Sequence, residues 1–140
     1  METLEYITAF IIIRPPYEVT LTTRPRSDTL GVMKRTAFHH SIQETIRSFP
    51  IGIKKALGKT ILELQHGASI GMPLSKAMPS VAKGAHEIRL KDKDGIYRVF
   101  YFTKVKDKIL IFHAFQKKTQ KTPKKDIDLA KKRLKEMLDE

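Results

Sequence analysis

The chain has 140 residues, a length that holds one hydrophobic core of ordinary size and excludes two. Lys and Arg number 27 against 15 Asp and Glu, a formal net charge of +12 that points to a polyanion: nucleic acid, an anionic membrane surface or an acidic protein. The absence of cysteine excludes a disulfide framework, a thiolate nucleophile and a Cys-based zinc site, and fits a reducing cytoplasm.

Residues 1–32 hold three Arg, no Lys and four acidic residues, a net of −1, whereas 33–140 hold 24 basic and 11 acidic residues, a net of +13. The break predicts an N-terminal extension over 1–32 and a functional domain over 33–140, with Met33 a candidate start. Two readings of the extension stand side by side: an added strand covering a sheet edge, or a loosely ordered appendage or upstream read-through. Its apolar run, Ile7 to Ile13, is far short of the roughly 18–20 residues of a transmembrane helix, and Met1 to Tyr6 is acidic where a signal peptide is basic. Neither a membrane span nor an export signal is expected, and the cytoplasm is the expected location.

Lys34 to Phe38 is a candidate first strand. Ser41-Ile42-Gln43-Glu44 has the form of a capping box, predicting a short helix striped by Ile42, Ile46 and Phe49 and ended by Pro50. Ile53, Leu57, Ile61 and Leu64 share one stripe of a second helix, which Gly67 closes at the C′ position. Gly71, Pro73, Pro79 and Gly84 break the stretch 68–84, which reads as a long loop.

Three strands then follow from alternation and from β-branched and aromatic content: Ala85 to Lys91, Ile96 to Val105 and Lys108 to Gln116. Asp94-Gly95 and Lys106-Asp107 are their turns. Thr122-Pro123 opens a C-terminal helix striped by Ile127, Ala130, Leu134 and Met137. The order predicts an α+β domain: a small antiparallel sheet of about four strands, two N-terminal helices packed on one face, and a C-terminal helix. One sheet face is left for another use.

Glu87, Arg89 and Lys91 share one face of their strand, and Arg98 alternates with Ile96, Phe100 and Phe102. Two Arg near the middle of a sheet are costly to bury unpaired, so they belong on a face that meets water or an anion, unless Glu87 pairs with Arg89. Arg98 and Tyr101 fall on opposite faces of a regular strand, so a shared site would need a bulge or a strand end. His113 alternates with Ile111 and Phe115, which leaves two readings, a hydrogen-bonded core residue or a proton carrier near Lys117, Lys118 and Lys121. The lysine run continues through Lys124 and Lys125 into the last helix, either as a solvated connection or as a field for phosphates. The five histidines, His39, His40, His66, His86 and His113, stand in no metal-ligand spacing, and no glycine-rich phosphate loop or nucleophile elbow is present, so no metal and no small-molecule cofactor is expected.

The ordered set Phe49-Pro50, Ala56-Leu57-Gly58, Leu64-Gln65-His66-Gly67, Pro73-Leu74, Glu87-Ile88-Arg89, Tyr97-Arg98-Val99-Phe100-Tyr101, His113 through Thr119 and Thr122-Pro123 resembles the phage-derived, HigB-like branch of the RelE/ParE toxin superfamily. The resemblance covers about residues 33–140. It implies the toxin of a type II toxin–antitoxin pair, with a cognate antitoxin of helix-turn-helix type, and the ribosome and mRNA as targets. RelE-like members cleave mRNA without a metal, and on this likeness Arg89, Arg98, His113 and Lys117 are the catalytic candidates. Lys118, Lys121, Lys124, Lys125 and Tyr101 are the RNA-binding candidates. Many relatives have a Lys before the Pro-Leu pair, where this chain has Met72. ParE-like members poison DNA gyrase and cleave nothing, so a non-enzymatic inhibitor remains an alternative, as does a basic RNA-binding module.

Overall fold

The computed structural model describes residues 33–118 and 121–140 in full, together with the strand backbones of 5–14 and 18–22. Its elements in chain order are strands β1 (Glu5–Arg14), β2 (Glu18–Thr22) and β3 (Arg35–Phe38), helices α1 (Gln43–Arg47) and α2 (Ile51–Gln65), strands β4 (Ser75–Ala77), β5 (Ala85–Asp92), β6 (Gly95–Phe102) and β7 (Lys108–Lys117), and helix α3 (Lys124–Leu138). Among the described residues the strands form one sheet in the order β2-β1-β3-β7-β6-β5-β4. The class is α+β, as expected, but the sheet is mixed rather than antiparallel, because β3 and β7 run parallel. The chain reaches the middle of the sheet twice in the same direction, once before α1 and once at the end of the β5–β6–β7 meander. β1 lies antiparallel to β3 and β2 antiparallel to β1.

The local signals account for most elements. The apolar stripe of α2 is buried through Ile53, Leu57, Ile61 and Leu64. Its end is a Schellman closure: Gly67 takes φ +91°, its amide donates to Leu64 O, and the Ala68 amide donates to Glu63 O. The expected capping box does not form. A short 3-10 turn, His40–Ile42, precedes α1, and the His39 ring accepts the Ser41 amide at 3.1 Å, while Glu44 reaches forward to Arg47 at 3.0 Å. Within the expected loop 68–84 the three residues of β4 pair with β5. So short a strand has no periodicity to read. It is held by tertiary contacts, with Ser75 Oγ 2.6 Å from Tyr101 Oη.

Both faces of the sheet are covered in part. One meets α1 and α2, with Ile46, Phe49, Ile53, Leu57 and Ile61 against Ile88, Val99, Ile109 and Ile111. The face expected to be free meets α3, whose Ala130, Leu134 and Met137 pack on Phe100, Phe102, Leu110 and Phe112. An amphipathic helix must bury its apolar stripe, and this face is where α3 does so. The helix reaches as far as the row of His113. Past that row the same face carries charge.

Candidate nucleic-acid interface

The β5–β6 hairpin aligns the charged residues. Asp92 Oδ1 accepts the amides of Asp94 and Gly95 at 2.8 and 3.0 Å, which closes the turn over Lys93-Asp94 and sets Arg89 directly opposite Arg98. Arg98 is flanked on its other side by Phe115 and Ile96 by Lys117, while Lys76 of β4 stands beside Glu87. Period-two alternation therefore brings Lys76, Glu87, Arg89, Arg98 and Lys117 to one face.

Like charges facing each other across a strand pair repel. Here the Glu87 carboxylate lies between them, with Oε1 3.6 Å from Arg89 Nε and 3.5 Å from Arg98 Nε. Both contacts exceed good hydrogen-bond length, and Glu87 Oε2, Arg89 Nε and Arg98 Nε are buried without a hydrogen-bond partner. Arg98 also makes a long bond, 3.4 Å, to the Tyr97 carbonyl. Glu87 and Arg98 are buried at 3% and 5% exposure, so each is partly stripped of water and its charge acts at long reach. One carboxylate cannot balance four cations. Burial, and next the Arg98 guanidinium, push the Lys117 ammonium below its ordinary pKa, which makes its proton easier to give up. Arg89, Lys91, Ile96 and Arg98, with Pro73 and Leu74 from the segment before β4, line an open groove of about 420 Å³.

His113 stands elsewhere on this face. A bulge in β7 sets Phe100 opposite His113 and Tyr101 opposite Ile111, so Phe112 is an extra residue in the ladder. The bulge breaks the expected alternation of Ile111, His113 and Phe115: Ile111 packs with α2, whereas Phe112, His113 and Phe115 gather around Phe100. His113 is 3% exposed under α3. Arg133 Nη1 can only donate and lies 2.9 Å from Nδ1, so Nδ1 accepts and Nε2–H donates to Asp126 Oδ1 at 2.9 Å. His39 repeats the arrangement, accepting at Nδ1 from the Ser41 amide and donating from Nε2 to Glu136 Oε1 at 2.7 Å. Burial is the main cause that lowers the pKa of both rings, so both stay neutral at pH 7. Two neutral histidines thus bind α3 to the sheet.

The remaining candidates divide. Tyr101 is 3% exposed, bonded to Ser75 and stacked on His86 at 5.4 Å, so its ring has no face to offer a base. Lys118, Lys121, Lys124 and Lys125 are exposed along the connection from β7 into α3. Lys124 pairs with Asp128 at 3.0 Å on the surface, a weak bond that a phosphate can replace. The connection leaves β7 at Lys117, so the lysine field begins at the Arg89–Arg98 cluster. Sequence reasoning missed Lys76, because β4 gave no strand signal. It also missed Asp126 and Arg133, which look like surface charges on a basic helix until the helix is docked.

Among the described residues no group of His, Asp and Glu is arranged to hold a metal, and no helix is long and apolar enough to cross a membrane. A family model with the description "Phage derived protein Gp49-like (DUF891)" matches residues 44–135, which span α1 through most of α3 and include every residue of the cation cluster. No curated protein matches the chain.

Proposed function

Because the chain belongs to the Gp49-like family of phage-derived proteins, a toxin-like family related to RelE/ParE-type toxins, we propose that it is the toxin of a type II toxin–antitoxin pair that cuts mRNA on the ribosome. Within that kinship it is read as a HigB-like member acting in the cytoplasm, without metal or cofactor. The observation that carries the reading is the excess of buried and half-buried cation around Glu87, a charge arrangement that an RNA phosphate completes.

The chemistry is an in-line attack of a ribose 2′-oxygen on the adjacent phosphorus, with the 2′-hydroxyl proton passing to solvent water as the P–O2′ bond forms. The P–O5′ bond breaks as the 2′,3′-cyclic phosphate forms. Charge builds on the non-bridging oxygens, where Arg89 and Arg98 donate in a site with little water. Lys117, with its pKa lowered, supplies the proton taken up by the leaving 5′-oxygen. His113 has both ring nitrogens engaged beneath α3 and serves to position that helix, so proton transfer is assigned to Lys117. Lys118, Lys121, Lys124 and Lys125 hold flanking RNA on the ribosome. The cognate antitoxin, of helix-turn-helix type, brings acidic surface to the same cations.

Primer extension on mRNA after induction tests this. Cuts are expected in the wild type and are absent in Arg98→Ala and Arg89→Ala. The enclosure of His113 also favours a second reading, a ParE-like inhibitor of DNA gyrase that cleaves nothing. Intact mRNA with gyrase-linked DNA breaks would select it, and growth unaffected by expression would leave a basic RNA-binding module.

A further inference from the structure

The cation cluster has an apolar border that phosphate binding does not use. Met72 is 63% exposed and Ile96 38% exposed, two of the few large apolar side chains left in water among the described residues. They flank the same guanidinium groups. Met72 Sδ takes a hydrogen bond from Arg89 Nη1 at 3.6 Å, and Ile96 lines the groove two residues from Arg98 on the same face of β6. Pro73, which is exposed, and half-buried Leu74 also line the groove. The Leu74 carbonyl accepts the Arg89 amide at 2.7 Å, so this segment is fixed to the strand that carries the clamp.

A groove lined by apolar side chains beside two guanidinium groups suits a ligand that is flat and apolar at one end and anionic at the other. Its volume, about 420 Å³, falls within the ~300–1,000 Å³ of small-ligand sites. Resting on the RNA reading above, we infer that Met72, Pro73 and Ile96 form a seat for one nucleobase beside the phosphate held by Arg89 and Arg98. The base lies on the thioether and the aliphatic edges, while its own phosphate meets the clamp. Tyr101 is enclosed, so the contact at this seat is aliphatic rather than aromatic. A methionine gives this contact through a polarizable sulfur, which makes favourable contacts with rings.

Binding of a short single-stranded RNA, compared with an abasic oligonucleotide of the same length, tests the seat. Met72→Ala and Ile96→Ala are surface changes and are expected to weaken RNA binding roughly three- to tenfold, in line with the apolar area each covers, with abasic binding unchanged. Met72→Phe is expected to tighten RNA binding only. Equal losses with both ligands, or no loss with RNA, overturn the seat while leaving the phosphate clamp standing. Arg98→Ala is expected to weaken both ligands alike. No loss with either ligand overturns the clamp, and the seat with it.

Discussion

The sheet face under α3 carries two polar clusters that follow opposite rules. Around His39 and His113 the ring nitrogens all have partners, with Arg133 donating and Asp126 and Glu136 accepting. Around Glu87 the contacts are long, polar atoms lack partners, and cations outnumber carboxylates. A closed network stabilises the fold it sits in. An open, like-charged cluster costs stability and is relieved by a ligand of opposite charge. The contrast separates a structural histidine from functional arginines more sharply than residue type does.

The largest effect is expected at the open cluster. Arg98→Ala should lower the rate of mRNA cleavage about 10²–10³-fold, the usual cost of losing one donor to developing charge, with a smaller change in thermal midpoint than any substitution in the closed cluster. Rates from single-turnover cleavage and a melting curve on the same preparation measure both. The closed cluster should respond the other way round. His113→Ala leaves Asp126 and Arg133 facing each other across a cavity, with an expected loss of about 2–4 kcal/mol in urea unfolding. If His113→Ala retains full stability and loses cleavage, the division between the clusters is wrong.

A smaller effect follows from pH. Burial holds the folded-state pKa of His39 and His113 below the ordinary 6.5, so the unfolded chain takes up these protons at a higher pH than the folded chain. Stability is therefore full above pH 6.5 and declines as pH falls through that value, as the unfolded state gains protons that the folded state refuses. Urea midpoints between pH 5 and 8 should show the slope, and it should flatten in His39→Gln and His113→Gln. The smallest effect is expected on the lysine field. Lys125→Ala should reduce the slope of log affinity for RNA against log salt by about one and leave stability unchanged. An unchanged slope would mean that this part of the field touches no phosphate.

Legibility along the chain followed the range of the forces involved. α2 could be read because its stripe repeats every turn and Gly67 marks its end. The β5–β6 hairpin could be read because Asp92 to Gly95 is a local turn and the flanking residues alternate. That alternation also put Glu87 and Arg89 on one face of their strand, while Arg98, expected to meet water or an anion, is buried at 5% exposure beside Glu87. The Ser41–Glu44 motif misled because the His39 ring takes the Ser41 amide that the Glu44 carboxylate accepts in a capping box, and Glu44 accepts from Arg47 instead. β4 went unseen because its order depends on β5 and on the Ser75–Tyr101 bond.

The sequence by itself determined the α+β class, the helices and the strands of the meander, since these rest on periodicity and local turn chemistry. It also put the two arginines on adjacent strands and the lysine run between the last strand and the last helix. Only the tertiary structure decided what His113 does. A strand bulge is set by the partner strand and by packing against Phe100, and that one extra residue turned His113 away from the α2 side and beneath α3. There Asp126 and Arg133 occupy both of its nitrogens. Which charges are balanced depends on through-space distance, and sequence spacing does not record it.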